Sequence, residues 1–291
     1  MRKIQKGSRK RKMPLVARIS LFLGKVFLVY PFKGIYALGK YLFSAIRKGH
    51  HTLQERKKVK ALEKSRPKLA AEYVPLQEVR HKKGSIDAFQ QKLLHNKSTI
   101  GIILGARGTG KTAIGMRLLE NFAAESNKYV YALGFKEEEL PSWIKVIKNI
   151  DELDNNAALL IDEGGIEFSS RSSMSKANKI LSEILLIARH KDLSVMFIAQ
   201  NSANLEINAI RQADYLILKP SSLLQKDFER KKIKEMYQEV EKEFHEFSEK
   251  EGITYVYADN YQGFVTNTLP SFWSEKVSKG YGQGKNVDKE E

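Results

Sequence analysis

The stretch GARGTGKT, residues 105–112, lies directly behind the apolar run TIGIIL and directly ahead of AIGMRLLENFAAE. A glycine-rich turn between a strand-like run and a helix-like run fits the pattern G-x-x-x-x-G-K-[ST] at Gly105, Gly110, Lys111 and Thr112, with an additional Gly108. In such a turn the backbone N–H groups point at phosphate oxygens, and the helix N-terminus adds partial positive charge. The expected phosphate-binding residues are Gly105, Ala106, Arg107, Gly108, Thr109, Gly110, Lys111 and Thr112. Lys111 would neutralise the β and γ phosphates of ATP, and Thr112 would set its hydroxyl on Mg²⁺.

The apolar runs TIGIILG, KYVYALGF, AALLIDE, LSVMFIAQ and DYLILKP are each read as a buried strand followed by a helical stretch. Strands alternating with helices predict an α/β fold, a mostly parallel sheet covered on both faces. GSIDAFQQKLLHN predicts a capped helix leading into this domain, which is expected over residues 84–281. Past Pro220, LLQKDFERKKIKEMYQEVEKEFHEFSEKEG predicts one long charged helix whose apolar contacts are Phe228, Tyr237, Val240, Phe244 and Phe247. ITYVYADNYQGFVTNTLPSFW predicts a hairpin turning near Asp259-Asn260, and residues 282–291 form a polar tail.

A phosphate loop alone does not separate kinases, switches and motors. AALLIDEGG supplies the distinction, because a buried strand ending in Asp162-Glu163 offers one carboxylate to the Mg²⁺ shell and a second to a water. Glu163 would orient or deprotonate that water for in-line attack on the γ-phosphate, a group that small-molecule kinases do not need. LSVMFIAQN ends a further strand on Gln200-Asn201, and an uncharged amide there either bonds the γ-phosphate or is an ordinary polar strand end. The loop FSSRSSMSKANK, residues 168–179, is either a solvated surface loop or a basic surface facing a phosphate backbone.

The formal net charge is +16, and its distribution matters more than its total. Residues 1–69 hold 20 Lys+Arg against 2 Asp+Glu, and the remainder is nearly neutral at 30 against 32. Within the front end, Arg11, Arg18 and Lys25 are seven apart, and after Pro31 so are Lys33, Lys40 and Arg47. Seven residues is about two helical turns, so each set falls on one stripe of an otherwise apolar helix. The pieces 15–30 and 32–46 are shorter than the roughly 20 residues of a comfortable span. Residues 1–48 are therefore read as a basic tail and amphipathic helices lying on an anionic membrane surface, with a tight hairpin, a protein contact or a DNA-binding arm as the alternatives. Residues 49–83 are read as a basic helix and linker. The expected location is the cytoplasmic face of a membrane. The chain has no cysteine, and its six histidines show no ligand spacing, so no metal held by protein side chains alone is expected.

The stretch DELDNNAALLIDEGGIEFSSR, followed by LLIARHKDLSVMFIAQNSANLEINAIRQADYLIL, resembles the FtsK–HerA superfamily of ring ATPases, and most closely its zonular occludens toxin-like branch. The resemblance covers about residues 95–220 and rests on four elements in order: an Asp-Glu strand, a helix ending in Arg189, a strand ending in Gln200, and Arg211 before Ala213-Asp214. It implies a RecA-like core that assembles into a ring, usually a hexamer, and uses ATP to pump DNA or assemble a particle at a membrane. It also implies an arginine finger from the neighbouring copy, for which Arg189 and Arg211 are the candidates and Arg171 a weaker one. Ordinary surface arginines are the alternative. The expected function is thus a membrane-associated, ring-forming ATPase that translocates DNA or drives virion or DNA-transfer assembly, and the alternative is a nucleotide-dependent scaffold or switch that moves no DNA.

Overall fold

A computed structural model of the chain describes residues 57, 59–168, 173–274 and 276–277. The amphipathic helices expected within residues 1–48, the arginine at 171 and the tail 282–291 lie outside the described residues. The chain divides into two units between Lys64 and Ser65. In the first, residues 59–64 are helical. Among the described residues no helix is long and apolar enough to cross a membrane.

The second unit is built on one sheet. Its strands are β1 (Gln77–Gly84), β2 (Thr99–Leu104), β3 (Tyr129–Leu133), β4 (Lys145–Ile147), β5 (Ala157–Asp162), β6 (Ser194–Ile198), β7 (Tyr215–Leu218), β8 (Thr254–Ala258) and β9 (Tyr261–Thr266). They lie in the order β1-β9-β8-β7-β2-β6-β5-β3-β4. From β7 to β4 every pairing is parallel, while β8, β9 and β1 extend the sheet antiparallel from the other side of β7. The helices are α1 (Ile86–His95), α2 (Lys111–Glu125), α3 (Glu163–Phe168), α4 (Ser173–Ile187), α5 (Ile207–Gln212), α6 (Leu223–Phe228) and α7 (Lys231–Glu246). The α/β class and the mostly parallel sheet expected from the sequence are both observed.

Each strand divides its side chains between two cores, as the period of two requires. Ile100, Ile102 and Leu104 of β2 join Phe197, Leu181, Ile184, Tyr237 and Val240 on the face covered by α4 and α7. Ile103 points the other way, towards Ile114, Leu118 and Phe122 of α2 and Phe89 and Leu93 of α1. All six residues of β2 are buried, the pattern of a central parallel strand.

Helix α2 is buried on its outer face as well, and that face is polar. Arg117 and Glu120 form a 2.9 Å ion pair in which neither side chain is more than 3% exposed. Around them close two straps. On the N-terminal strap, Glu72 donates its N–H to Glu120 and accepts from Arg117, and Asn121 exchanges two hydrogen bonds with Val74. On the C-terminal strap, Arg117 donates to the carbonyls of Thr268 and Leu269, and Ser271 donates to Glu120 through both its N–H and its hydroxyl. Burial pushes the Arg117 guanidinium below its usual value, and the Glu120 charge opposes the shift. A little ahead of the first strap, buried Arg66 donates to Glu137 and to the carbonyls of Leu140, Pro141 and Ile144.

Four sequence readings are corrected. The long helix expected from residue 223 to 252 is two helices, because Glu229 and Arg230 are extended and bond to the turn at residues 202–205. Phe228, expected to be an inward contact, is 70% exposed. The stretch 168–179, read as a loop, is helical from Ser173. β3 is followed by the short 3-10 turns Glu137–Glu139 and Ile150–Glu152 and the strand β4 rather than by a helix. In addition, the segment read as a linker up to residue 83 carries the edge strand β1.

Removing one member of the buried pair on α2 strands the other. Glu120→Ala is expected to lower unfolding free energy by about 3–5 kcal/mol in denaturant melts. Glu246→Ala, which breaks the exposed pair with Arg80, should produce a much smaller loss. Equal losses from the two substitutions would contradict this account.

Candidate functional site

The loop between β2 and α2 folds on itself through Thr109, whose N–H and hydroxyl both donate to the Ala106 carbonyl, at 3.4 and 2.8 Å. Gly105, Gly108 and Gly110 all have positive φ, and at Gly110 the value of +87° turns the chain directly into the helix. As N-cap of a 15-residue helix, Gly110 offers no side-chain acceptor. The first amides of α2 therefore remain as donors for an anion, reinforced by the helix dipole. Lys111 Nζ reaches back over the loop to the carbonyls of Gly105 and Ala106, at 2.7 and 2.8 Å. Burial pushes this ammonium below its usual value, and the charges of Asp162 and Glu163 pull it up again. Arg107 is exposed at the rim.

Parallel pairing brings the acidic residues to the same edge. The strand ending in the loop and the strand ending in Asp162 are not neighbours, because β6 lies between them. Asp162 is level with Ile198, so Gln200 emerges two residues beyond it, between the loop and the carboxylates. The Thr112 hydroxyl stands 3.5 Å from Asp162 Oδ2, while Asp162 Oδ1 accepts the Gly164 N–H at 3.0 Å. Burial pushes the Asp162 carboxyl up, and the Gly164 and Gly165 amides, Lys111 and Thr112 act against that shift. Gly165 is required by contact: a Cβ there would come 1.9 Å from the Gly134 carbonyl oxygen at the end of β3. Glu163 opens α3, is 5% exposed, and accepts the Gln200 N–H at 3.4 Å.

A hard cation could take the Thr112 hydroxyl and one Asp162 oxygen. Among the described residues no three His, Asp or Glu side chains cluster as ligands, so such a cation would rely on phosphate oxygens and water for the rest. The donor set therefore fits Mg²⁺ carried by a nucleotide.

Gln200 engages the site through its backbone, and its side chain is exposed. Its carbonyl accepts from Gln225 Nε2 at 2.6 Å, and the same amide group donates to Glu229 at 3.0 Å. Glu229, itself buried, accepts from the N–H and hydroxyl of Ser202, and Arg230 closes the turn on the carbonyls of Ser202 and Leu205. Sequence reasoning missed this network, since Gln225, Glu229 and Arg230 look like the solvated face of a helix.

It also missed Lys219. This residue ends the buried run DYLILKP and is 1% exposed. The signal was present, as a charge placed at the end of a fully apolar strand.

Arg189 and Arg211 are not brought to this site. Arg189 sits in the turn before β6, whose first residue pairs with Thr99 at the start of β2. Arg211 lies in the last turn of α5, just ahead of Asp214, whose carboxylate accepts the Ile100 N–H. Both are exposed, and both occupy the edge of the sheet opposite the phosphate loop. Strand length puts that edge on the order of 15–20 Å away.

No family model matches the chain, and no curated protein matches it. Solved structures do. B204, the DNA-packaging ATPase of Sulfolobus turreted icosahedral virus, aligns at TM-score 0.42 and 14% identity over 60% of this chain and 98% of its own. The pCW3 conjugation coupling protein TcpA, solved with ATPγS, aligns at 0.39 and 12% over 62% of each chain. EssC ATPases 2 and 3 from Geobacillus thermodenitrificans align at 0.38 and 11%, over 74% of this chain and 50% of theirs. The strand order and the glycine-rich turn between β2 and α2 define the fold. The fold is RecA-like.

Burial also lowers the Lys219 ammonium from 10.5 to about 7. Between those values the unfolded chain holds a proton that the folded chain has released, so folding stability rises with pH across the interval. Melts of wild type and Lys219→Met from pH 7 to 10 should therefore diverge, with the wild type gaining stability relative to the variant. Parallel curves would mean that the lysine stays charged in the fold.

Proposed function

We propose that this chain is a membrane-associated, ring-forming ATPase that hydrolyses ATP to move DNA or to drive virion or DNA-transfer assembly. One observation carries the hydrolytic part: a phosphate loop, an aspartate facing the loop threonine, and a buried glutamate next to it, all converging at one sheet edge. The loop amides and Lys111 would bind the phosphates, and Thr112 and Asp162 would hold Mg²⁺, which offsets charge on the β and γ oxygens. Glu163 would orient and deprotonate the attacking water. Because the Gln200 N–H holds the Glu163 carboxylate, a change at the γ-phosphate would reach the β6 end directly.

The position of Arg189 and Arg211 supports an intersubunit role over one within a single copy. A group on the far edge of its own sheet is free to complete the site of a neighbour. In this reading self-association, most simply a ring, precedes efficient turnover, and an isolated copy is slow. The basic, apolar front end would hold the assembly at an anionic membrane on its cytoplasmic face.

ATP turnover of the full chain, alone and with single-stranded DNA, double-stranded DNA or anionic liposomes, tests the reading. Stimulation by one form of DNA is expected, and that form names the track. Indifference to DNA with stimulation by liposomes would put a membrane scaffold in its place. Lys111→Ala should abolish nucleotide binding, whereas Glu163→Gln should bind ATP normally and lose roughly 10²–10⁴ in turnover. Wild-type turnover by Glu163→Gln would remove Glu163 from its assigned role.

A further inference from the structure

Lys219 stands directly beneath the phosphate loop. Its N–H donates to the Leu104 carbonyl at 2.8 Å, and the next carbonyl, of Pro220, accepts the Ala106 N–H at 3.0 Å, so β7 pairs with the chain right up to the loop's entry. A Cβ on Gly105 would fall 2.6 Å from Lys219 Cβ. A Cβ on Gly110 would fall 3.9 Å from Lys219 Nζ, which puts the ammonium behind the last amide of the loop. Gly105 is thus fitted against this side chain, and Gly110 lies at ordinary contact distance from its end.

The ammonium is held from the other side by the C-terminal hairpin. It donates to the carbonyls of Gly252 and Ile253, at 2.8 and 3.2 Å, and to Asn267 Oδ1 at 3.2 Å. Gly252 and Ile253 lead into β8, and Asn267 follows β9. All three acceptors are neutral. A buried lysine bonded only to neutral oxygens is costly, and such groups are ordinarily paired with a carboxylate. An anion held by the N-terminal amides of α2 would lie across the loop from this ammonium.

We infer that Lys219 is a second cation of the phosphate site, fixed behind the loop by the C-terminal hairpin, so that binding strengthens with the number of phosphates on the nucleotide. The lysine needs no direct bond to phosphate for this. Each added phosphate charge favours the protonated form of the buried amine, so nucleotide binding draws a proton onto Lys219 and gains an attraction that grows with the number of phosphates. Lys219 is a positioning residue in this arrangement, since it acts through Gly105 and Gly110 and through the field behind them. The inference rests on the loop being a nucleotide phosphate site, as proposed above.

The test is calorimetric binding of ATP, ADP and AMP with Mg²⁺ to the full chain, to Lys219→Met and to Lys219→Gln. Methionine removes charge and donors but keeps the bulk, and glutamine removes the charge but keeps an N–H donor. The expected loss is roughly tenfold for ATP, smaller for ADP and least for AMP, and similar in the two variants. A purely structural lysine would instead weaken all three nucleotides alike, with glutamine restoring part of the loss, and that result would overturn the inference. So would unchanged affinities in both variants. Failure of the wild-type chain to bind any of the three would sink the phosphate-site reading itself, an outcome separate from the other two.

Discussion

The placement of β6 between β2 and β5 governs the rest of the site. Parallel pairing fixes the level of each strand end, so Leu104, Asp162 and Ile198 finish at one edge without any further specification. The loop, the Asp-Glu pair and Gln200 then meet because the ladder brings them there, not because they attract one another. It is the general rule for open α/β sheets that ligands bind beyond the carboxyl ends of the strands, and the strand order shows why it applies here. The same geometry sends Arg189 and Arg211 to the opposite edge, since both lie on returning connections that precede a strand.

The helix that starts at the loop is held by polar contacts on its outer side. Arg117, Glu120 and Asn121 grip two chain segments far apart in sequence. Such bonds are directional, so they fix the rotation of α2 about its axis as well as its distance from the sheet. That rotation decides where the amides of Lys111 and Thr112 point. One strap precedes β1 and the other follows β9, so chain segments on both sides of the sheet's sequence bear on the loop's helix.

Much of this was legible in the sequence. TIGIIL, AALLIDE and LSVMFIAQ read as buried strands because an apolar run of that length between helical stretches has few other uses, and all three form parallel strands. The hairpin turn near Asp259-Asn260 was legible for the same reason. The helix break at Glu229-Arg230 was not. Nothing local opposes a helix there, and the break comes from bonds to Ser202 and Leu205, more than twenty residues away. β1 was hidden because QEVRHKKG lies at an edge with nearly every side chain exposed, so it carries no alternation to read. At the site, the residue types announced the phosphate chemistry and a charge closing an apolar run marked Lys219, whereas Gln225 owes its place to tertiary contacts that spacing does not encode.

The network that begins at Gln200 gives the strand end a mechanical consequence. Glu163 accepts from the Gln200 N–H, the Gln200 carbonyl accepts from Gln225, and Gln225 shares Glu229 with the Ser202 turn. No member of this series is a long, solvated ion pair that could absorb a shift at little cost. The bonds from Ser202 to the Glu229 carboxylate are buried and expensive to leave unmade, whereas the bond from Gln225 to the Gln200 carbonyl is exposed. Those partners belong to α6 and to the break before α7, the element that carries Leu224 and Phe228 into solvent. Glu163 is thus linked through Gln200 and Gln225 to α6, by residues that stand outside the phosphate site.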